Sequence, residues 1–240
     1  KGHNVTLFEK EKVLGGQLNI AEVPPRKSEI YHAVQNLEHA ITTQGVTLRL
    51  GEIATTQEVL ALTPDAVIVA VGATNFIPPI PGVDGANVCD AWQVLAGEQE
   101  VHGRVAVIGG GLVGCETAEY LAMQGCKVTL VEMLGKIADG ISSTVLPTLL
   151  ENYRSYGVAQ LAEHKVTSIA IGELRCEDKN GNAVKIPCDY IVMASGARPV
   201  SFDTTAFRDK NIDVIKVGDC SEVADISHAI KTAYDATNAL

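Results

Sequence analysis

Gly109, Gly111 and Gly114, with an acid at Glu132, are the residues of this 240-residue chain whose types and spacing most clearly carry chemistry. Gly109-x-Gly111-x-x-Gly114 follows Val105–Ile108, which reads as a strand, and opens a stretch over 112–124 that reads as a helix. In that setting each glycine has a reason. The first makes a tight turn, the second lets backbone approach a pyrophosphate, and the third lets helix pack on strand. The helix start, with Leu112 and Val113 in its first turn, then offers unpaired N–H groups and a positive dipole end to phosphates. Glu132 stands 18 residues past Gly114 at the end of the next predicted strand. A carboxylate there accepts hydrogen bonds from ribose hydroxyls and repels a 2′-phosphate, so the pattern predicts NAD(H) in preference to NADP(H). Met133 and Leu134 supply no arginine clamp, and Lys136 is the nearest cation.

The elements that must position these residues come in two copies. Gly125–Glu132 echoes Gly2–Glu9 at an offset of 123, and Asp189–Ala197 echoes Asp65–Ala73 at an offset of 124. Near-equal offsets of that length indicate two copies of one domain rather than a short solenoid repeat. Glu9, the counterpart of Glu132, is therefore expected at the ribose of a second dinucleotide. Gly15-Gly16 permits close backbone approach to a ligand, or forms an ordinary loop. The first copy's own glycine loop would fall before residue 1, so that copy is expected to lack its opening strand, loop and helix.

Strand and helix signals alternate, which predicts an α/β fold with a largely parallel sheet. Strands are expected at Val5–Phe8, Val46–Leu50, Ala66–Val71, Val128–Glu132 and Asp213–Val217. Ser28 can cap a helix with the apolar face Ile30, Ala33, Val34, Leu37 and Ile41, stopped by Gly45. A second helix covers Val145–Tyr153 with Pro147 in its first turn, and a third begins near residue 227. The second copy is the longer between Gly157 and Gly196, and the excess fits a hairpin at Lys179-Asn180-Gly181-Asn182. Pro78–Gly82 reads as a stiff crossing at a domain boundary.

A net charge of −10 with no basic patch argues against nucleic acid and anionic membrane partners. No apolar run approaches the roughly 20 residues of a membrane span, no signal peptide opens the chain, and a cytoplasmic location is expected. Six cysteines lie singly, without a C-x-x-C, which excludes the common zinc spacings and a paired redox motif. They are expected to be buried reduced thiols. The six histidines are equally scattered, and no metal site is expected.

Taken in order, these motifs resemble the two-dinucleotide-binding-domain flavoprotein oxidoreductases over essentially the whole chain. The resemblance rests on the two acid-ended strands, on Ala70-Val71-Gly72 and Ala194-Ser195-Gly196, and on Val217-Gly218-Asp219. It implies two Rossmann-like domains, the second inserted into the first: an FAD-binding domain of residues 1–78 plus 200–240 and an NAD(P)H-binding domain of residues 79–199. It places Glu9, Lys10, Gly15, Gly16, Gln17, Ala70, Gly72, Gly218 and Asp219 at FAD, with the Gly-Asp pair at the ribityl-phosphate. Alone, that dipeptide is an ordinary one; its place in the order carries the assignment. On the NAD side the resemblance adds Ala194, Gly196 and Glu116, the last near the nicotinamide.

Within the family the chain is most similar to the C-terminal region of the 2,4-dienoyl-CoA reductase, enoate reductase and NADH:flavin oxidoreductase group. The supporting stretches are Gly15-Gly16-Gln17-Leu18 running to Pro24-Pro25, Ile80-Pro81-Gly82-Val83, and Gly114-Cys115-Glu116-Thr117-Ala118. Full-length members carry an N-terminal barrel with FMN and a 4Fe–4S cluster, neither of which these residues contain. The implied function is hydride transfer from NADH to FAD, feeding that barrel of the same polypeptide for reduction of an enoyl-type substrate. The hydride step needs no acid or base, so no catalytic residue is assigned. Two alternatives stand beside it. One is a nucleotide-binding fragment without turnover; the other is a disulfide or peroxide reductase acting through Cys89 or Cys220. An exposed sheet edge in the first copy would favour self-association.

Overall fold

A five-stranded parallel sheet carries the glycine motif. In the computed structural model, which describes residues 2–240, its order is Val88–Asp90, Tyr190–Met193, Arg104–Ile108, Lys127–Val131, Ala159–Leu161. The strand alternation decides what each face packs against. Val105 and Val107 join Cys115, Ala118 and Leu121 of the helix Leu112–Met123 and Leu149 and Tyr153 of the helix Leu146–Tyr156. Ala106 and Ile108 join Ile169, Leu174, Cys176 and Ile186 of an antiparallel three-stranded meander, His164–Ala170, Glu173–Asp178 and Ala183–Pro187. The sheet is thus buried on both sides, which is why its strands read as continuous apolar runs. Each fully buried Val or Leu side chain contributes about 1.5–3 kcal/mol. The predicted Asn-Gly turn joins the last two meander strands, with Gly181 at φ +81°.

The chain forms two units. One comprises the residues up to Gly16, Ala33–Thr74 and Ala197–Leu240; the other comprises Gln17–His32 and Asn75–Gly196. These divisions fall at 74/75 and 196/197, where the sequence pattern suggested 78/79 and 199/200. They also group Gln17–His32 with the second unit, because two consecutive cations there, Arg26 and Lys27, pair with Glu119 and Glu116 of the glycine-motif helix.

Within the first unit the parallel pairs are Thr6–Glu9 with Thr47–Leu50 and Ala66–Val69 with Asp213–Lys216. By the internal echo the strands Thr6–Glu9, Thr47–Leu50 and Ala66–Val69 match Lys127–Val131, Ala159–Leu161 and Tyr190–Met193 of the second unit's sheet. No strand among the described residues takes the place that Arg104–Ile108 takes between its neighbours. Val5 is 48% exposed where its echo Val128 is 1%, and Ile68 is 39% exposed where Val192 is 0%. The helix expected after Ser28 spans Glu29–Thr43, with Gly45 at φ +78° beyond it, and the terminal helix spans Ile226–Ala239. Among the described residues no helix is long and apolar enough to cross a membrane.

Candidate functional site

In the second unit the predicted residues converge at the carboxyl ends of three adjacent strands. The Arg104–Ile108 strand has Lys127–Val131 on one side and Tyr190–Met193 on the other, all parallel. A sheet whose order reverses there opens a crevice at those strand ends. Gly109 turns the chain at φ +110°, and a Cβ on it would stand 2.3 Å from the Ala194 carbonyl oxygen. A Cβ on Gly114 would stand 1.8 Å from the Gly109 carbonyl oxygen, so helix and strand approach as only glycine permits. Gly111 differs: nothing lies within 4 Å of where its Cβ would be. It caps the helix, followed by exposed Leu112 and Val113, and this is the open face a pyrophosphate needs. The backbone at Gly111 is therefore open where its neighbours Gly109 and Gly114 are closed in.

Glu132 does more than the motif required. Its Oε2 accepts the Gly110 N–H at 2.6 Å, and its Oε1 accepts the Leu134 N–H at 2.7 Å. Gly110 is held from its other side by the Ala138 N–H on its carbonyl oxygen. A Cβ on Gly110 would meet the Glu132 Cβ at 2.9 Å, so this fourth glycine, which the motif leaves free, is demanded by the acid. Lys136 is engaged by Asp139 at 2.7 Å. Ala194 is buried, and its N–H donates to the Ile108 carbonyl; Gly196, exposed at φ +102°, accepts from the Phe76 N–H.

Glu116 lies one turn into the helix and pairs with Lys27. Burial pushes its carboxyl above the usual carboxylate range, and Lys27 opposes that shift. Glu119, one turn further, is 3% exposed and takes both oxygens to Arg26 at 2.8 and 2.9 Å, with Asn152 on Oε1 at 2.6 Å. Arg26 adopts φ +66° to do so. Sequence reasoning missed Arg26, Lys27, Glu119 and Asn152. The available signal was a Glu-x-x-Glu pair on one helix face and an adjacent Arg-Lys elsewhere.

The first-unit residues are distributed over its two strand pairs. Glu9 ends the Thr6–Glu9 strand, and its Oε1 accepts the Glu11 N–H at 2.9 Å, the same bond Glu132 makes to Leu134. Lys10 is exposed beside Glu11. Gly15 and Gly16 take φ of +113° and +51°, and Gln17 starts the short helix Leu18–Ala21 in the other unit. Ala70 is exposed and Gly72, at φ +72°, accepts from the Val200 N–H. Gly218 donates its N–H to Thr232 Oγ1 at 2.9 Å, and Asp219 Oδ1 accepts from the Ala224 N–H.

All six cysteines are free and buried. Burial pushes the Cys89, Cys176 and Cys188 thiols up to about 11, and raises Cys115 and Cys126. A protonated buried thiol is a poor nucleophile. Among the described residues no group of His, Cys, Asp and Glu is arranged to hold a metal ion.

Comparison with known proteins agrees with this geometry. The profile of the pyridine nucleotide-disulphide oxidoreductase family matches residues 1–206. The chain is 52% identical over its full length to a bilirubin reductase of Mediterraneibacter gnavus and 38% identical over 98% of its length to an NADH oxidase of Thermoanaerobacter brockii. It spans 37% of the length of each of these curated relatives. Among solved structures, a 2-naphthoyl-CoA reductase complex superimposes with a TM-score of 0.88 at 25% identity, over 97% of this chain and 36% of that one.

Proposed function

The chain belongs to the pyridine nucleotide-disulphide oxidoreductase family, and from that premise we propose that it is the electron-input part of an NADH-dependent flavoprotein oxidoreductase. The observation that carries this reading is the Gly109–Gly114 cradle with Glu132 already oriented at its edge. Residues 79–199 are the NADH-binding domain, with Gly109, Gly111, Leu112, Val113, Gly114, Glu116, Glu132, Ala194 and Gly196 toward the dinucleotide. Residues 1–78 and 200–240 are the FAD-binding domain, with Glu9, Lys10, Gly15, Gly16, Gln17, Ala70, Gly72, Gly218 and Asp219 toward the flavin nucleotide.

When bound, the two cofactors supply the hydride donor and acceptor. The chain's own residues bind and orient. The N–H groups at the start of the Leu112–Met123 helix receive the phosphates, and Gly111 leaves the room for them. Glu132 accepts from the ribose hydroxyls while bracing Gly110. Glu116, paired with Lys27, sets the charge one helical turn from the cradle. Positioning of this kind, rather than acid–base catalysis, is the protein's contribution.

The relatives' greater length supports an onward step: a further domain of the same polypeptide, a barrel holding FMN and a 4Fe–4S cluster, would accept the electrons and serve reduction of an enoyl-type substrate. The test is direct. Purified chain should show the visible absorption of bound flavin, bind NADH, and reduce an artificial dye with NADH, with thiol-blocking reagent leaving that rate unchanged. A colourless chain that binds NADH without dye reduction would reduce the reading to a nucleotide-binding module. A chain that does not bind NADH would overturn it.

A further inference from the structure

Cys115 grips two successive carbonyls of the glycine loop. Its N–H donates to the Gly111 carbonyl at 2.9 Å, and its thiol donates to the Gly110 carbonyl at 3.3 Å. The first is the ordinary helical bond to the residue four back. The second reaches one residue further and lies outside the helix ladder. The Gly110 carbonyl also accepts the Ala138 N–H at 2.8 Å. Ala138 is 2% exposed and takes φ +61°, a region that a residue with a Cβ enters only at a cost. Cys115 is fully buried, and the Tyr153 hydroxyl donates to its carbonyl at 2.7 Å. The thiol is therefore anchored through its own backbone. Burial raises it above the usual thiol range, so the sulfur keeps its proton and remains a donor.

These bonds decide where the Gly111 N–H points. Among the described residues no peptide bond is cis, so the Gly110 carbonyl and the Gly111 N–H share one plane and face opposite ways. The carbonyl is turned inward, to buried Ala138 and Cys115. The N–H is thereby turned outward, on the side where Gly111 is exposed and nothing lies within 4 Å of its Cβ position. Neither flanking residue carries a Cβ to restrict this peptide, so its orientation depends on the groups that hold the carbonyl.

We propose that Cys115 is a positioning residue for the dinucleotide: its thiol, together with the Ala138 N–H, locks the Gly110–Gly111 peptide so that the Gly111 N–H stands ready for a pyrophosphate oxygen. The proposal rests on the NADH reading and gives a buried thiol, which is no nucleophile, a part in it. An N–H that is already oriented requires no ordering when the phosphate arrives. Ala138 shares this role, so loss of the thiol loosens the peptide without freeing it.

Dissociation constants for NADH, from nucleotide fluorescence, and for ADP-ribose, by competition with NADH, test this on the full chain, Cys115→Ala and Cys115→Ser, with a urea midpoint for each. Cys115→Ala removes the donor and should raise both constants by one common factor of about fivefold, the size of one neutral hydrogen bond. ADP-ribose keeps the pyrophosphate without the nicotinamide, so an equal loss locates the effect at the phosphates. Cys115→Ser restores a donor and should return both constants to within about twofold of the unaltered chain, even with a urea midpoint as low as that of Cys115→Ala. Affinity would then follow the donor and not the stability of the fold. NADH affinity unmoved by Cys115→Ala, a loss confined to NADH, or equal losses in the two variants overturns the proposal while NADH binding stands. Failure of the unaltered chain to bind NADH overturns the underlying reading and this proposal with it.

Discussion

Replacing Glu132 with alanine separates its two roles. The carboxylate accepts backbone N–H groups from Gly110 at 2.6 Å and Leu134 at 2.7 Å, and on the proposed function it also accepts from the adenosine ribose. A hydrogen bond to a charged acceptor contributes about 1.5–3 kcal/mol. Loss of the ribose bond should therefore raise the NADH dissociation constant about 10- to 150-fold. NADPH should lose less, because the same substitution removes the carboxylate that repels its 2′-phosphate. The fold also bears a cost. Two donors lose a charged partner, but the site is only half buried and water recovers part of each bond, so the stability loss should be about 1–3 kcal/mol. Fluorescence titration with each nucleotide, alongside the urea midpoint, measures both. Glu132→Gln keeps one oxygen and serves as the milder step. Equal weakening of NADH and NADPH would refute the ribose role and leave Glu132 only as a brace for Gly110.

Gly114→Ala places a Cβ 1.8 Å from the Gly109 carbonyl oxygen, so it should lower stability by more than about 2 kcal/mol and abolish NADH binding. Gly111→Ala, where nothing lies within 4 Å, should leave the urea midpoint nearly unchanged while weakening NADH; the opposite ranking would contradict the cradle. Arg26→Ala strips the bidentate partner from the buried Glu119 and should cost about 3 kcal/mol in chemical denaturation, part of it regained with Glu119→Gln. The Arg104 guanidinium and backbone hold the Asp189 carboxyl down to about 2. Its contribution is therefore present above the unfolded value of 3.8 and lost as pH falls through about 2. Asp189→Asn should flatten the stability profile in that acid window, and an unchanged slope would show that the ion pair does not couple to folding.

The glycine motif and both acids were legible because they depend on short-range order: a strand, three fixed glycine spacings, a helix, and a strand-end carboxylate. Strand limits such as Thr6–Glu9 for the predicted Val5–Phe8 differ only by the fraying expected at element ends. The short helices Thr56–Ala61 and Ala91–Leu95 were not read, although each opens with a complete capping box, Thr55 with Glu58 and Asp90 with Gln93. Those signals were in the sequence; their apolar runs were too brief to draw attention. The Arg26–Glu119 pair is another matter. Its partners are 93 residues apart, and no periodicity links them. The same holds for Gly110, whose need to be glycine arises only once Glu132 is folded against it.

The duplication explains where the chain changes unit. Gly72 ends the closing strand of the first copy and accepts the Val200 N–H at 2.9 Å; Gly196 ends that of the second and accepts the Phe76 N–H at 2.8 Å. Both glycines take positive φ, and both donor and acceptor pairs are related by the same offset of 124 residues. The chain thus leaves each copy at an equivalent joint, which lets one copy interrupt the other without disturbing its strands. What the copies share is then the part a common ligand moiety requires: the strand-end acid, its bond to the residue two further on, and the closing glycine. What they do not share is Gly51 against Glu163 and exposed Ala70 against buried Ala194. On the proposed function the shared parts meet the adenosine diphosphate common to both cofactors, so what distinguishes the flavin copy from the nicotinamide copy lies in the positions that diverge.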